Sequence, residues 1–329
     1  MTSISASTSW IVGARWAVEL LRSLERADPT AGRRRDAPSQ RRPAGTGTPS
    51  WLLGTMAAIS LAVTEDHRLL ADTARSMLTR QGGIAPAREA TDSGADKLPA
   101  AWDEIIGLGW LGMAVPAELE GQGYGAAELA VVVHELGRAI TPGPFLPSVW
   151  AAAVIERCGD EAQRHAHLPD LATGRRHGAV ALDPGAVLGG GWADVVLAVE
   201  GSDVVILERA AGLEVEVLDS LDRTRPLARI AIAGEPSGRM AGAASTARAL
   251  GWALASAEAA GAASACLDAA NDYAKQREQF GRPIGSFQAV KHHLADMLVD
   301  TELATAAAWD AARAASVAKS EAGSVEQLL

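Results

Sequence analysis

The stretch Tyr273-Ala-Lys-Gln-Arg277-Glu278-Gln279-Phe280-Gly281-Arg282-Pro283-Ile284-Gly285-Ser-Phe287-Gln288 constrains this chain more than any other. Gly281, Pro283 and Gly285 cannot all sit inside one helix, so a turn is forced here. A helical pattern runs into the turn and another runs out of it. Ser245 to Gln276 reads as one helix, longer than about 40 Å at 1.5 Å per residue. Its stripe, Leu250, Leu254, Ala257, Gly261 and Ser264, is mostly small and admits a close neighbour. After the turn, Phe287, Val290, Leu294, Met297, Thr301, Ala304 and Ala308 recur at three and four residues, which predicts a second helix.

Upstream, Thr64 is placed to cap a helix, with Glu65 and Asp66 in the first turn, where the helix dipole favours acids. Leu69, Leu70, Thr73, Met77 and Leu78 share its face, and Gly82-Gly83 stops it. A second helix carries Trp102, Ile105, Ile106 and Leu108. A third carries Leu129, Val132, Val133, Leu136 and Ile140, and Trp150 to Ile155 continues the core. From Gly178 the period changes. Ala179–Leu182, Ala193–Val199, Asp203–Leu207, Leu213–Val217 and Arg229–Ala233 are short β-rich runs separated by Gly and Asp. The pattern is α+β, mainly α.

The formal net charge of −10 leaves no basic surplus to neutralise phosphates, which argues against a general nucleic-acid binder. Cys158 and Cys266 are the only cysteines, too few for a disulfide framework or a cysteine zinc site, and they suit a reducing cytoplasm. His292 and His293 have no third ligand at matching spacing, so no metal is expected. No apolar run reaches the roughly 18 residues of a membrane span. Residues 1–55, with Arg33 to Arg35, Arg41-Arg42 and a Pro/Gly/Thr/Ser-rich run, read as a disordered extension, the functional chain beginning near Met56.

The turn and its flanks resemble the signature of the acyl-CoA dehydrogenase superfamily. Arg277-x-x-Phe280-Gly281 is followed by Ile284, by Phe287-Gln288 and by Leu294-Ala295-Asp296-Met297. Gly109-Trp110-x-Gly112, Val115-Pro116-x-Glu118 and Glu120-Gly121-x-Gly123 resemble the family's glycine loop, with Glu120 where a glycine is usual. Leu168-Pro169 with Gly174, and Asp222-x-Thr224-Arg225-Pro226, match further family segments. The resemblance implies an N-terminal helical domain over 56–175, a small middle β domain over 176–240 (a barrel in the family) and a C-terminal helical bundle over 241–329. It implies FAD-dependent α,β-dehydrogenation of an acyl-CoA thioester, in lipid or steroid side-chain breakdown. The chain would act in a homo- or hetero-oligomer with another such subunit, and an electron-accepting flavoprotein would take the electrons. By motif position, Arg277, Gln279, Phe280 and Gln288 would contact the adenosine-diphosphate end of a flavin held mainly by the adjacent subunit. A guanidinium suits a pyrophosphate because its planar fork donates two parallel hydrogen bonds. The residues alone equally allow Arg277 and Gln288 to cap helices or to pair with Glu278 and Asp296, and Phe280 to be a core plug.

The chain also departs from the family pattern. Leu182-Asp183-Pro184-Gly185 stands where Thr-Glu-Pro is usual, no Gly-Ser-Asp follows, and the middle domain is shortened. The reaction needs a carboxylate base for the weakly acidic α-proton. In most members that base lies beyond a Gln-x-x-Gly-Gly segment, C-terminal of the signature, and this sequence ends at Leu329 before either. In others it lies early in the long helix, near Gly251 here, which has no carboxylate; Glu258 lies two turns on. The catalytic residue is therefore unassigned. Three readings follow: an enzyme within an oligomer, a non-catalytic subunit that completes a shared FAD site, and a C-terminally truncated, inactive remnant.

Overall fold

The structure, a computed structural model, describes residues 63–93, 98–232 and 234–317. The expected N-terminal extension and the start near Met56 lie outside them. Helix α1 (Glu65–Arg80) opens as the sequence predicts. Thr64 Oγ1 accepts from His67 N, and His67 Nδ1 accepts from Thr64 N, a reciprocal cap. Helices α2 (Ala85–Ser93), α3 (Trp102–Gly107), α4 (Ala126–Ala139), α5 (Phe145–Cys158) and α6 (Glu161–Ala172) follow. Arg75 on α1 donates a fork of two bonds, 2.8 and 3.0 Å, to the buried Glu135 carboxylate on α4. Burial alone would raise that carboxyl; hydrogen bonds from His134 and Arg75 hold it below its ordinary value.

Strands β1 (Gly178–Ala181), β2 (Val195–Glu200), β3 (Asp203–Glu208), β4 (Leu213–Val217), β5 (Ala228–Ile232) and β6 (Gly238–Met240) come next. The five predicted runs are all present; β6, three residues long, carried no readable period. The described strands do not close into the barrel that the resemblance implies. They form a four-stranded sheet in the order β1-β2-β3-β6 and a separate β4–β5 hairpin. Pairing is parallel between β1 and β2 and antiparallel elsewhere. Alternation along the strands explains the arrangement. Val180, Val195, Leu197, Val204 and Ile206 pack toward α5, α6 and the start of the next helix. Ala179, Ala181, Val196, Val205 and Leu207 point the other way, against Leu213 and Ile230 of the hairpin. With both faces covered, the strands read as continuous apolar runs.

Helix α7 (Ala244–Gln276) is the long predicted helix, and its Leu250, Leu254, Ala257 and Gly261 are buried. It crosses α4 at close range through a reciprocal pair of glycines. A methyl on Gly137 of α4 would overlap the Glu258 carbonyl of α7 and lie 2.9 Å from its Cα. One on Gly261 of α7 would overlap the His134 carbonyl and lie 3.1 Å from Arg138 N on α4. Helix α8 (Gln288–Val317) returns along α7. Its predicted stripe is half-buried from Phe287 to Met297 and at Ala304, and buried at Thr301 and Ala308; the buried Ala312 extends it. Among the described residues no helix is long and apolar enough to cross a membrane.

Gly261→Ala should therefore destabilise the fold by about 1–3 kcal/mol through overpacking, despite alanine's better helix propensity. Gly107→Ala, whose methyl meets nothing, should not lower the thermal midpoint. A second expectation concerns pH. Burial is the main cause that lowers the His167 and His177 imidazoles below their ordinary value of 6.5. Glu208 and Asp170 oppose this at His167, where Arg176 adds to it, and Asp194 opposes it at His177. The folded state prefers both rings neutral, so it binds fewer protons than the unfolded chain. Stability should be complete above pH 6.5 and fall as the solution is acidified below it. Thermal melts across the mildly acidic range should show this slope, and His167→Gln should flatten it.

Candidate functional site

The turn between α7 and α8 is a β-hairpin. Arg277 ends α7 in an extended conformation, φ −71° and ψ 122°. Strand β7 (Glu278–Gln279) then pairs with β8 (Arg282–Pro283). The two loop residues, Phe280 and Gly281, have φ of +53° and +75°. Positive φ at both positions is what a type I′ hairpin turn requires. Glycine takes this conformation freely; phenylalanine does so at a steric cost. Ile284 N donates to Arg277 O at 2.7 Å and closes the base of the hairpin. A 3₁₀ turn, Ile284–Ser286, then leads into α8.

The four candidate residues fall along this connection, Gln279 and Phe280 in the hairpin, Arg277 at the end of α7 and Gln288 at the start of α8, and all four are exposed. Phe280 is 92% exposed, so it is not a core plug. Its ring meets the half-buried Phe287 edge to face, centroids 6.0 Å apart. Gln279 Nε2 donates to the Glu278 carbonyl at 2.9 Å, and the Gln288 amide lies 3.5 Å from His292 Nε2. The Arg277 backbone N–H donates to Tyr273 O, as a cap. Among the described residues, neither Glu278 nor Asp296 pairs with its guanidinium. Its side chain is exposed, and among the described residues no carboxylate partners it.

A second place bears on the chemistry. Trp150 on α5 donates its indole N–H to the Ala247 carbonyl at 2.8 Å. The indole packs against Gly251. A methyl there would be 2.6 Å from Trp150 Cε2 and closer still to Cζ2. The space beside Gly251, near which the resemblance puts an alternative base, is filled by an indole, and a larger side chain at 251 would require that indole to move. The sequence placed Trp150 only in the core; a glycine facing an aromatic across two helices was the available signal.

Glu258 does other work. Arg225 Nη1 lies 2.7 Å from both its carboxylate oxygens. Arg225 also reaches Asp222 at 3.4 Å, and Asp222 Oδ1 accepts from Thr224 N and Oγ1. Burial would lower the Arg225 pKa, but Glu258 and Asp222 outweigh it and hold the group charged. The Asp-x-Thr-Arg-Pro turn is thus a structural clamp onto α7. The glycine loop is likewise tightly folded: Gln122, Gly123 and Tyr124 donate backbone bonds to Gly112, Val115 and Met113. Glu120, where a glycine is usual, takes φ +65°, and its carboxylate meets Arg175. Trp192 is half-buried beside the Gly189–Gly191 run.

The indole–glycine contact makes a testable pair. Trp150→Ala should cost about 3–5 kcal/mol of stability. Gly251→Ala should also destabilise, but the double variant should cost less than the sum, because the methyl then has room. Denaturant titration of the four proteins measures this coupling.

Residues 64–175 match the acyl-CoA dehydrogenase N-terminal domain family, and residues 242–326 match the C-terminal domain family. Acyl-CoA dehydrogenase IpdE2 of Mycobacterium tuberculosis is 37% identical over 255 residues, 76% of each chain. Acyl-CoA dehydrogenase FadE34 of the same organism is 35% identical over 241 residues, 68% of this chain but 33% of FadE34. Among solved structures, a variant of the Tcur3481–Tcur3483 steroid ACAD superposes with a TM-score of 0.71 at 27% identity, covering 80% of each chain. The ChsE4–ChsE5 complex of Mycobacterium tuberculosis shares the fold, with a TM-score of 0.66 at 24% identity over 79% of this chain and 82% of that one. The chain belongs to the acyl-CoA dehydrogenase family.

Proposed function

We propose that this chain is one subunit of a two-component, FAD-dependent acyl-CoA dehydrogenase. It anchors the adenosine-diphosphate end of the cofactor, and a second subunit supplies the base and most of the flavin site. The substrate is the CoA thioester of a steroid-derived or lipid acyl chain. The observation that carries this reading is the hairpin. Arg277, Gln279, Phe280 and Gln288 are all exposed, with only local contacts to their own chain, so a ligand held there is completed from outside. The donor set fits the group. The unpaired Arg277 fork suits phosphate oxygens, the two amides suit hydroxyl or ring-nitrogen partners, and the exposed Phe280 ring offers an apolar face. When bound, FAD supplies the hydride acceptor.

Trp150 against Gly251 favours a subunit without its own base over a self-sufficient enzyme. The relatives lean the same way. Two of the structural neighbours bear the names of two-component assemblies. In FadE34, two thirds of the chain lies outside the matched segment, long enough for a second such unit.

The full chain should purify colourless when expressed alone. Co-expressed with an acyl-CoA dehydrogenase subunit that it completes, it should show flavin absorption bands, weakened by Arg277→Ala. A lone chain with flavin bands that an acyl-CoA bleaches would overturn the proposal. Phe280→Gly adds a separate readout. Removing a left-handed phenylalanine should raise stability by roughly 1 kcal/mol, while flavin content of the assembly falls.

A further inference from the structure

The hairpin carries a second cation that the family pattern leaves unassigned. The β7–β8 register sets Gln279 opposite Arg282 and Glu278 opposite Pro283. Strand side chains alternate, and cross-strand partners share a face. Arg277, Gln279 and Arg282 therefore belong to one face, and the acid Glu278 to the other. The Arg282 guanidinium lies over the Phe287 ring, 4.2 Å from its centroid, and Phe280 meets the same ring by its edge. Stacking of this kind fixes the plane of a guanidinium and leaves its N–H rim for other partners. Among the described residues no carboxylate pairs with Arg282.

Local charge points the same way. From Lys275 to Lys291 the chain has Lys275, Arg277, Arg282 and Lys291 against the single acid Glu278, and although Lys275 pairs with Asp272 the balance stays positive, within a protein of net charge −10. Two guanidinium groups on one small face, with no carboxylate partner among the described residues, repel each other, and an anion between them relieves this. A diphosphate carries two negative charges, and a single arginine balances one of them.

We propose that Arg282 is a second diphosphate-binding residue of the hairpin, acting beside Arg277 and held in place by Phe287. The inference rests on the shared-site reading above. Its test uses the full chain co-expressed with the subunit it completes, as wild type and with Arg282→Gln, Arg282→Lys or Arg277→Gln. Flavin is removed, and FAD, ADP and adenosine are titrated at low and high salt; thermal midpoints verify that these exposed substitutions leave the fold intact. Arg282→Gln should weaken FAD and ADP about tenfold, as loss of one charge-assisted contact does. It should leave adenosine unchanged and shrink the salt dependence of ADP binding. Arg282→Lys should recover only part, since it keeps the charge without the fork. If Arg282→Gln binds ADP and FAD like wild type while Arg277→Gln does not, Arg282 has no such role and the shared site stands. If neither substitution changes FAD affinity, the shared-site reading fails and takes this proposal with it.

Discussion

The close crossing of α4 and α7 is the constraint on which the rest depends. Two helices approach this nearly only where neither presents a side chain, and Gly137 and Gly261 remove the obstacle from both sides. That contact fixes α7 against the N-terminal helices for part of its length. Arg225 then clamps the middle turn onto Glu258, within the same crossing. One short stretch of α7 thus joins the N-terminal helices, the β region and the C-terminal helices. Because α7 is held rigidly, its far end places the hairpin in a defined position.

The hairpin is built differently. It has few buried contacts, a two-residue ladder and a phenylalanine in a left-handed conformation at its tip. A turn selected for stability alone would carry asparagine or glycine there. The strain is supported by the Phe287 platform, against which both Phe280 and Arg282 rest. An exposed apolar ring and a guanidinium are thus held together by a small aromatic cluster at the tip of the connection.

Much of the fold was legible in the sequence because its signals are local. The Thr64 cap, the apolar stripes of α1, α4, α7 and α8, and the short β-rich runs each follow from residues within a few positions of one another. A turn between the long helices was forced by Gly281, Pro283 and Gly285 within five residues; that it is a β-hairpin was not. The open sheet was not legible. Whether β4–β5 joins or covers the main sheet depends on which apolar face meets which, and both arrangements present the same alternation.

The sequence by itself determined the family, the helical stripes, five of the six strands of the β region and the turn between the two long helices. Tertiary structure decided what particular residues within them do. Gly251 reads in sequence as a missing carboxylate; in the fold it is the floor beneath the Trp150 indole, 101 positions earlier in the chain. Glu258 reads as a spare acid near the expected base; in the fold it is consumed by Arg225. Arg282 reads as a linker residue until the type I′ turn sets it beside Gln279 and over Phe287. In each case the deciding contact joins residues whose separation carries no periodic signal, so only packing brings them together.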